Sequence, residues 1–142
     1  GALRNRIDED GRRAMARAWN KGLRGTKAGR YADRYFSKAV SGLNRGLERA
    51  GSPFRTHTQY GRNAYGKEFY GMHRPAGTRF LDAAITNADR SVVYSGWDIT
   101  FHGTARATWN SAATNTDYIN FFNIREGFVR EIATELTRPG IW

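Results

Sequence analysis

The tripeptide Gly51-Ser52-Pro53 divides the chain into two regimes. A helix cannot run through it, since glycine carries the largest backbone entropy cost and proline lacks the amide that an α-helix needs. Before it the apolar residues recur with helical spacing. Met15, Ala18, Trp19, Gly22 and Leu23 fall at i, i+3, i+4, i+7 and i+8, which predicts an amphipathic helix over residues 8–23 with Asp8 as its N-cap. Arg12, Arg13, Arg17 and Lys21 spread around its other side. Gly22, Gly25 and Gly29 interrupt the pattern, and a second helix is expected over residues 30–49, with Ala32, Tyr35, Phe36, Ala39, Val40, Leu43 and Leu47 on one stripe.

Past the stop, the period changes. Residues 79–86 and 91–102 read as two strands of a hairpin joined by the polar turn Asn87-Ala88-Asp89-Arg90. Alternation puts Val93, Trp97, Ile99 and Phe101 on one face of the second strand and Tyr94, Asp98, Thr100 and His102 on the other. The polar stretch 103–115, with Arg106 and Trp109, has room for a further short strand. A last helix is expected from Thr116 or Asp117 to residue 137, with Phe121, Phe122, Phe128, Val129, Ile132 and Leu136 inward and Pro139-Gly140 as its stop. The fold class that follows is α+β: a small, mostly antiparallel sheet with two N-terminal helices and one C-terminal helix packed on it.

The chain has 142 residues, 39% of them apolar, which suits one domain; halves of about 70 residues would each be marginal. Within it, residues 1–50 form a basic helical part, 51–77 a Gly/Tyr-rich loop and 78–142 a hairpin plus helix. No run of 18 apolar residues is present and the N-terminus lacks a signal peptide's apolar core, so no membrane insertion by this domain is expected. The absence of cysteine excludes a disulfide framework, thiolate zinc sites and a cysteine nucleophile. The chain opens Gly1-Ala2 rather than with Met, as a piece of something longer does; a cloning remnant gives the same start.

Charge points to a partner. Lys and Arg number 23 against 13 Asp and Glu, a net +10, and only Lys21, Lys27, Lys38 and Lys67 are lysines. An arginine-rich surface neutralises phosphates and releases counterions, which makes nucleic acid the favoured partner over an acidic protein; this charge reads RNA and DNA alike, and RNA is favoured on the catalytic cluster proposed below. The 51–77 segment adds stacking groups: Tyr60, Tyr65 and Tyr70, each followed by glycine, alternate with Arg62, Lys67 and Arg74 and form the expected nucleic-acid grip. No cofactor is expected. The stretch from Gly61 to Gly66-Lys67 approaches a P-loop, but Glu68 stands where Ser or Thr must hold magnesium.

Metal-independent RNA cleavage needs a base for the 2′-hydroxyl proton, an acid for the leaving oxygen and a cation for the phosphorane. His102, Asp98 and Thr100 on one strand face, with Arg106 just beyond, are the expected catalytic cluster and need no metal; His73 beside Arg74 is the second candidate, and His57 ranks below both. Three other readings stay open. Asp82 and Asp98 on adjacent strands suit a magnesium-dependent DNase. Glu126, Glu131 and Glu135 suggest an ADP-ribosyltransferase, although a solvated helix face explains them better. The fourth is a binding module without catalysis, in which Arg62, Lys67 and Arg74 contact phosphates.

The segments Gly77-Thr78-Arg79-Phe80-Leu81-Asp82 and, after a turn, Val92-Val93-Tyr94-Ser95-Gly96-Trp97-Asp98-Ile99-Thr100 resemble the compact C-terminal toxin domains of bacterial polymorphic toxins, the contact-dependent and type VI (Rhs-type) effectors. The resemblance spans residues 77–137. It implies a secreted antibacterial nuclease delivered into the cytoplasm of a neighbouring cell, and a cognate acidic immunity protein covering the basic face. The first strand is similar to the acid-x-lysine metal nucleases, except that Thr100 replaces the lysine.

Overall fold

The computed structural model describes residues 1–63, 67–70, 79–100, 116, 118–125 and 128–135. Three helices come first: α1 (Ala2–Asn20), α2 (Gly25–Ser41) and α3 (Leu43–Arg49). Six strands follow: β1 (Phe54–Arg62), β2 (Glu68–Tyr70), β3 (Arg79–Asn87), β4 (Val93–Thr100), β5 (Tyr118–Arg125) and β6 (Phe128–Glu135). They form one sheet in the order β2-β1-β3-β4-β5-β6, antiparallel throughout except that β4 and β5 are parallel. The α+β class, the two N-terminal helices and the β3–β4 hairpin are as the sequence pattern predicts. No described helix is long and apolar enough to cross a membrane.

Both long helices cover one face of the sheet, α1 over β4–β6 and α2 over β1, β3 and β4. Between the layers lie Ile7, Ala14, Met15 and Ala18 of α1, Ala28, Ala32, Phe36 and Val40 of α2, and Ala83, Ile85, Trp97, Tyr118 and Phe122 of the sheet. Alanines on the helices let large sheet residues approach, and each fully buried ring such as Phe36 contributes ~1.5–3 kcal/mol. Gly11 allows the closest approach: an added Cβ would lie within the Phe122 ring's van der Waals envelope. A second apolar set, Tyr60, Leu81, Ala84, Val93 and Ile119, occupies the face turned away from the helices.

Five expectations are corrected. α1 begins at Ala2 rather than at Asp8, because Asp8 is no cap: its buried carboxylate accepts hydrogen bonds from Trp97 Nε1 (2.7 Å), Asn120 Nδ2 (2.9 Å) and the Tyr118 hydroxyl (3.1 Å), tying the helix to the sheet. The second helix is broken into α2 and α3 at Gly42. The 51–77 segment is not all loop, since it supplies β1 and β2, with Tyr60 opposite Tyr70 and Arg62 opposite Glu68.

The expected C-terminal helix is the hairpin β5–β6. Its apolar positions fit either period, and tertiary pairing decides: Tyr118, Asn120 and Phe122 alternate toward α1 while Ile119 points to the other face. The enrichment in Tyr, Ile, Phe and Val around Glu126-Gly127 was the strand signal. The solvated helix face expected for the glutamates is therefore replaced by strand pairing, in which Glu131 lies in register with Phe122 and Glu135 with Tyr118, while Glu126 lies outside the described residues.

Alternation along β4 also slips. The ladder between β3 and β4 shifts at Ile85/Thr86, so Val93 joins the outer apolar set, whereas Tyr94 packs with Trp97 and Ile99 against the helix-side core.

Candidate functional site

Most of the ionisable groups that meet on the sheet face away from the helices come from β1, β2 and the turn after β3. Their meeting depends on one backbone feature. Gln59 has φ 50, in the left-handed region, and this breaks the two-residue alternation of β1. His57 and Tyr60, three residues apart, thus share the outer face with ring centroids 5.2 Å apart, while the Gln59 amide turns to Asp33 of α2 (3.0 Å). Tyr70 of β2 completes the aromatic group, 5.5 Å from Tyr60 and 6.2 Å from His57.

Glu68 sits at the centre of the charges. Its carboxylate accepts a hydrogen bond from the Tyr70 hydroxyl (3.0 Å), lies 3.5 Å from Arg90 Nε and 3.9 Å from Arg62 Nη2. Arg62 donates to the Tyr60 hydroxyl (2.7 Å) and to the Arg90 carbonyl, which fastens the Asn87–Val92 turn over this face. Arg90 itself, at φ 63, keeps about half of its side chain in solvent.

The proton inventory of this group is defined by its hydrogen bonds. The Thr86 hydroxyl donates to the Asn87 carbonyl (2.8 Å), so toward His57 Nε2, 2.8 Å away, it is an acceptor. That assignment of the hydroxyl proton places the His57 proton on Nε2 and a lone pair on Nδ1. Burial, and then the Arg90 charge, hold its pKa below the usual 6.5, so the imidazole is largely unprotonated at neutral pH. Tyr70 is the complementary group. Partial burial and its bond to Glu68 push its pKa up to about 12, so the phenol, with some two-fifths of the residue in solvent (42%), stays protonated. An unprotonated base, a protonated hydroxyl and an accessible guanidinium thus stand within one cluster.

A second pair lies on the neighbouring strands. The β3–β4 ladder ends at Ala83 opposite Trp97, and beyond it the Asp82 carboxylate takes over, accepting from the Ile99 amide at 2.6 Å. Withdrawal from water, then the adjacent Asp98 carboxyl with which it shares a hydrogen bond, raises the pKa of Asp82 well above the usual carboxylate range. Asp82 thus holds its proton to higher pH than a free carboxyl does. Among the described residues no group of three or more His, Asp or Glu side chains is arranged to bind a metal ion.

The expected site residues divide accordingly. Asp98 meets Asp82, and Thr100 lies in β4 opposite Asn123. His102, Arg106, His73, Tyr65 and Arg74 lie outside the described residues, as does Glu126. Tyr60 and Arg62 do not present themselves to a ligand as the sequence suggested. Both are buried and bonded to each other because their strand faces the Arg90 turn, so they brace the cluster from below. Lys67 and Tyr70 are exposed, with Lys67 Nζ 5.4 Å from the Phe69 ring centroid.

His57, Glu68 and Arg90 were missed or ranked low. Strict alternation sets His57 and Tyr60 on opposite faces, and only the left-handed residue between them reverses that. A cavity of about 350 Å³ at the start of α1, walled mainly by Leu3, Phe54, Ile85 and Tyr94, lies on the helix side and brings no acid–base pair. Comparison with protein-family models, with curated proteins and with solved structures gives no match to this chain.

Proposed function

We propose that this domain cleaves RNA without a metal, at the sheet face formed by β1, β2 and the Arg90 turn. The observation that carries the reading is the hydrogen bond between His57 Nε2 and the Thr86 hydroxyl, which engages that ring nitrogen and leaves Nδ1 to serve as the base, in a group that also holds Tyr70, Glu68 and Arg90. In the reaction Nδ1 takes the 2′-hydroxyl proton, the 2′-oxygen attacks the adjacent phosphorus, and the bond from phosphorus to the 5′-oxygen breaks. Tyr70 gives its phenolic proton to that departing oxygen and is reprotonated from solvent, while His57 loses its proton to solvent. The products are a 2′,3′-cyclic phosphate and a 5′-hydroxyl. Arg90 offsets the negative charge that builds on the phosphorane, and Glu68 orients Arg90 and Tyr70.

The basic composition supports a nucleic-acid substrate, and the resemblance to delivered bacterial toxins supplies the setting: action in the cytoplasm of a target cell, held in check at home by an acidic immunity protein. One observation favours a second reading of the same function class. The Asp82–Asp98 pair on β3 and β4 suits a magnesium-dependent DNase, and the alternative metal-independent site built on Asp98, Thr100, His102 and Arg106 shares its Asp98.

The test is incubation of the purified protein with tRNA, total RNA and plasmid DNA, each with magnesium or with EDTA, followed by analysis of product ends. RNA cleavage that survives EDTA and leaves cyclic phosphate ends is expected. Cleavage of DNA abolished by EDTA moves the function to the aspartate pair, and intact substrates in every lane reduce it to binding.

A further inference from the structure

The helix layer carries a second feature, on the opposite side of the molecule from His57. Twelve of the thirteen Lys and Arg residues within residues 1–50 are exposed, against two of the five carboxylates there, Glu9 and Glu48. Both of those are already matched, Glu9 by Arg13 at 2.8 Å and Glu48 by Arg55 at 3.9 Å. Asp8 and Asp10 are buried, and Asp33 is engaged by Gln59. The solvent side of the helices is therefore cationic with little internal neutralisation.

That charge is organised at one place. Along the seam between the C-terminal half of α1 and α2, three cations stand over three partly exposed rings: Arg24 over Trp19 (3.3 Å to the centroid), Arg17 over Tyr35 (4.8 Å) and Lys21 over Tyr31 (5.1 Å). Arg24 also donates to the carbonyls of Trp19 and Leu23, which fixes its guanidinium in place. A cation held over a ring keeps its full charge yet has fewer rotamers left to lose, so it engages a phosphate at lower entropic cost than a freely swinging side chain. Flat guanidinium and indole surfaces also stack unpaired bases. An acidic protein would use the charge but has no use for the stacked planes, and this favours RNA.

We infer that the α1–α2 seam is an RNA-docking surface, distinct from the cleavage face, on which Arg17, Lys21 and Arg24 bind consecutive phosphates and Trp19, Tyr31 and Tyr35 support the bases between them. The inference rests on the reading of the domain as an RNA-acting protein and adds that its substrate is long enough to engage both sides of the sheet.

The test is binding of the full chain to a fluorescent 20-nucleotide RNA that is 2′-O-methylated throughout and so cannot undergo 2′-oxygen attack. Three proteins are compared by anisotropy across a salt series, with circular dichroism melts to establish that each is folded: the wild type, the seam variant R17A/K21A/R24A, and a control that removes three exposed cations elsewhere on the helix layer, K38A/R45A/R49A. The seam variant should weaken binding about tenfold or more and lower the slope of log affinity against log salt by about 2, at ~0.7 for each single-strand phosphate that is no longer neutralised; the control should fall less in affinity. Equal losses in the two variants would mean diffuse charge attraction and overturn the inference. So would wild-type protein that ignores the RNA yet captures polyglutamate, which would assign the seam to an acidic protein. Because the probe cannot be cleaved, loss of binding in the seam variant stands even where no ribonuclease activity is found, and cleavage that persists with an unaffected seam variant sinks this inference alone.

Discussion

Replacing Asp8 with alanine is the sharpest probe of how the helix layer is held to the sheet. The substitution removes one acceptor and abandons three donors at once: Trp97 Nε1, the Tyr118 hydroxyl and Asn120 Nδ2. All three residues are buried, at 0%, 5% and 0% exposure, so water does not replace the lost carboxylate without opening the interface. A buried donor left without a partner costs about 1–3 kcal/mol. Three of them place the loss near 3 kcal/mol or above, even after allowing that neighbouring deficits share their relaxation. A domain of this kind has ~5–15 kcal/mol in total, so the variant sits close to the unfolding threshold. Asp8→Asn keeps the volume and one acceptor oxygen and should lose about half as much. Urea titration followed by tryptophan fluorescence reads both, and with a slope of ~2 kcal/mol per M the alanine variant's midpoint should fall by about 1.5 M. A midpoint within about 0.5 M of wild type would refute the claim that this network fastens α1 to the sheet.

Glycines separate packing from propensity. Gly11→Ala and Gly96→Ala drive a methyl into Phe122 and Leu81 and should each destabilise by ~1–3 kcal/mol, whereas Gly29→Ala and Gly46→Ala, on helices with open space at the Cβ position, should stabilise by ~0.4–1 kcal/mol, all read from denaturation midpoints. Asp82 has a folded pKa raised above 3.8, so the folded state binds more protons than the unfolded one, and this residue's contribution to stability declines as pH rises from about 4 through that raised value. Asp82→Asn, which mimics the protonated form, should gain on wild type across the same window in melts recorded at successive pH values; a constant offset would contradict the raised Asp82 pKa. For His57 the sign is reversed. Its lowered folded pKa makes stability fall as pH drops through 6.5 toward that lower value, and His57→Gln should remove this component of the acid slope.

Much of the architecture was readable because the stop at Gly51-Ser52-Pro53 separates two hydrophobic periods and because the Asn87-Ala88-Asp89-Arg90 turn marks a hairpin. The C-terminal hairpin was misread because Phe121, Phe122, Phe128 and Ile132 satisfy a helical stripe as well as a pleated one, and only the docking of Asn120 and Phe122 under α1 resolves the ambiguity. The site was legible in part. Tyr60, Arg62 and Tyr70 were singled out as a nucleic-acid grip and do come together, but the first two face inward as braces. What was hidden is the left-handed Gln59, a non-glycine residue whose backbone conformation no periodicity announces, and the folding of Arg90 back over the sheet. Local irregularities of this kind decide which face a histidine occupies, and pattern reading assumes there are none.

The central claim is that His57 Nδ1 is the base for RNA cleavage. The most direct measurement compares wild type, His57→Gln and His102→Ala for initial rates of tRNA cleavage in EDTA at pH 7.5, with folding of each variant established by its melt. The account predicts a fall of about 100-fold or more for His57→Gln, the usual range for loss of a general base, and little change for His102→Ala. A wild-type rate in His57→Gln together with loss in His102→Ala would contradict it and move the chemistry to His102.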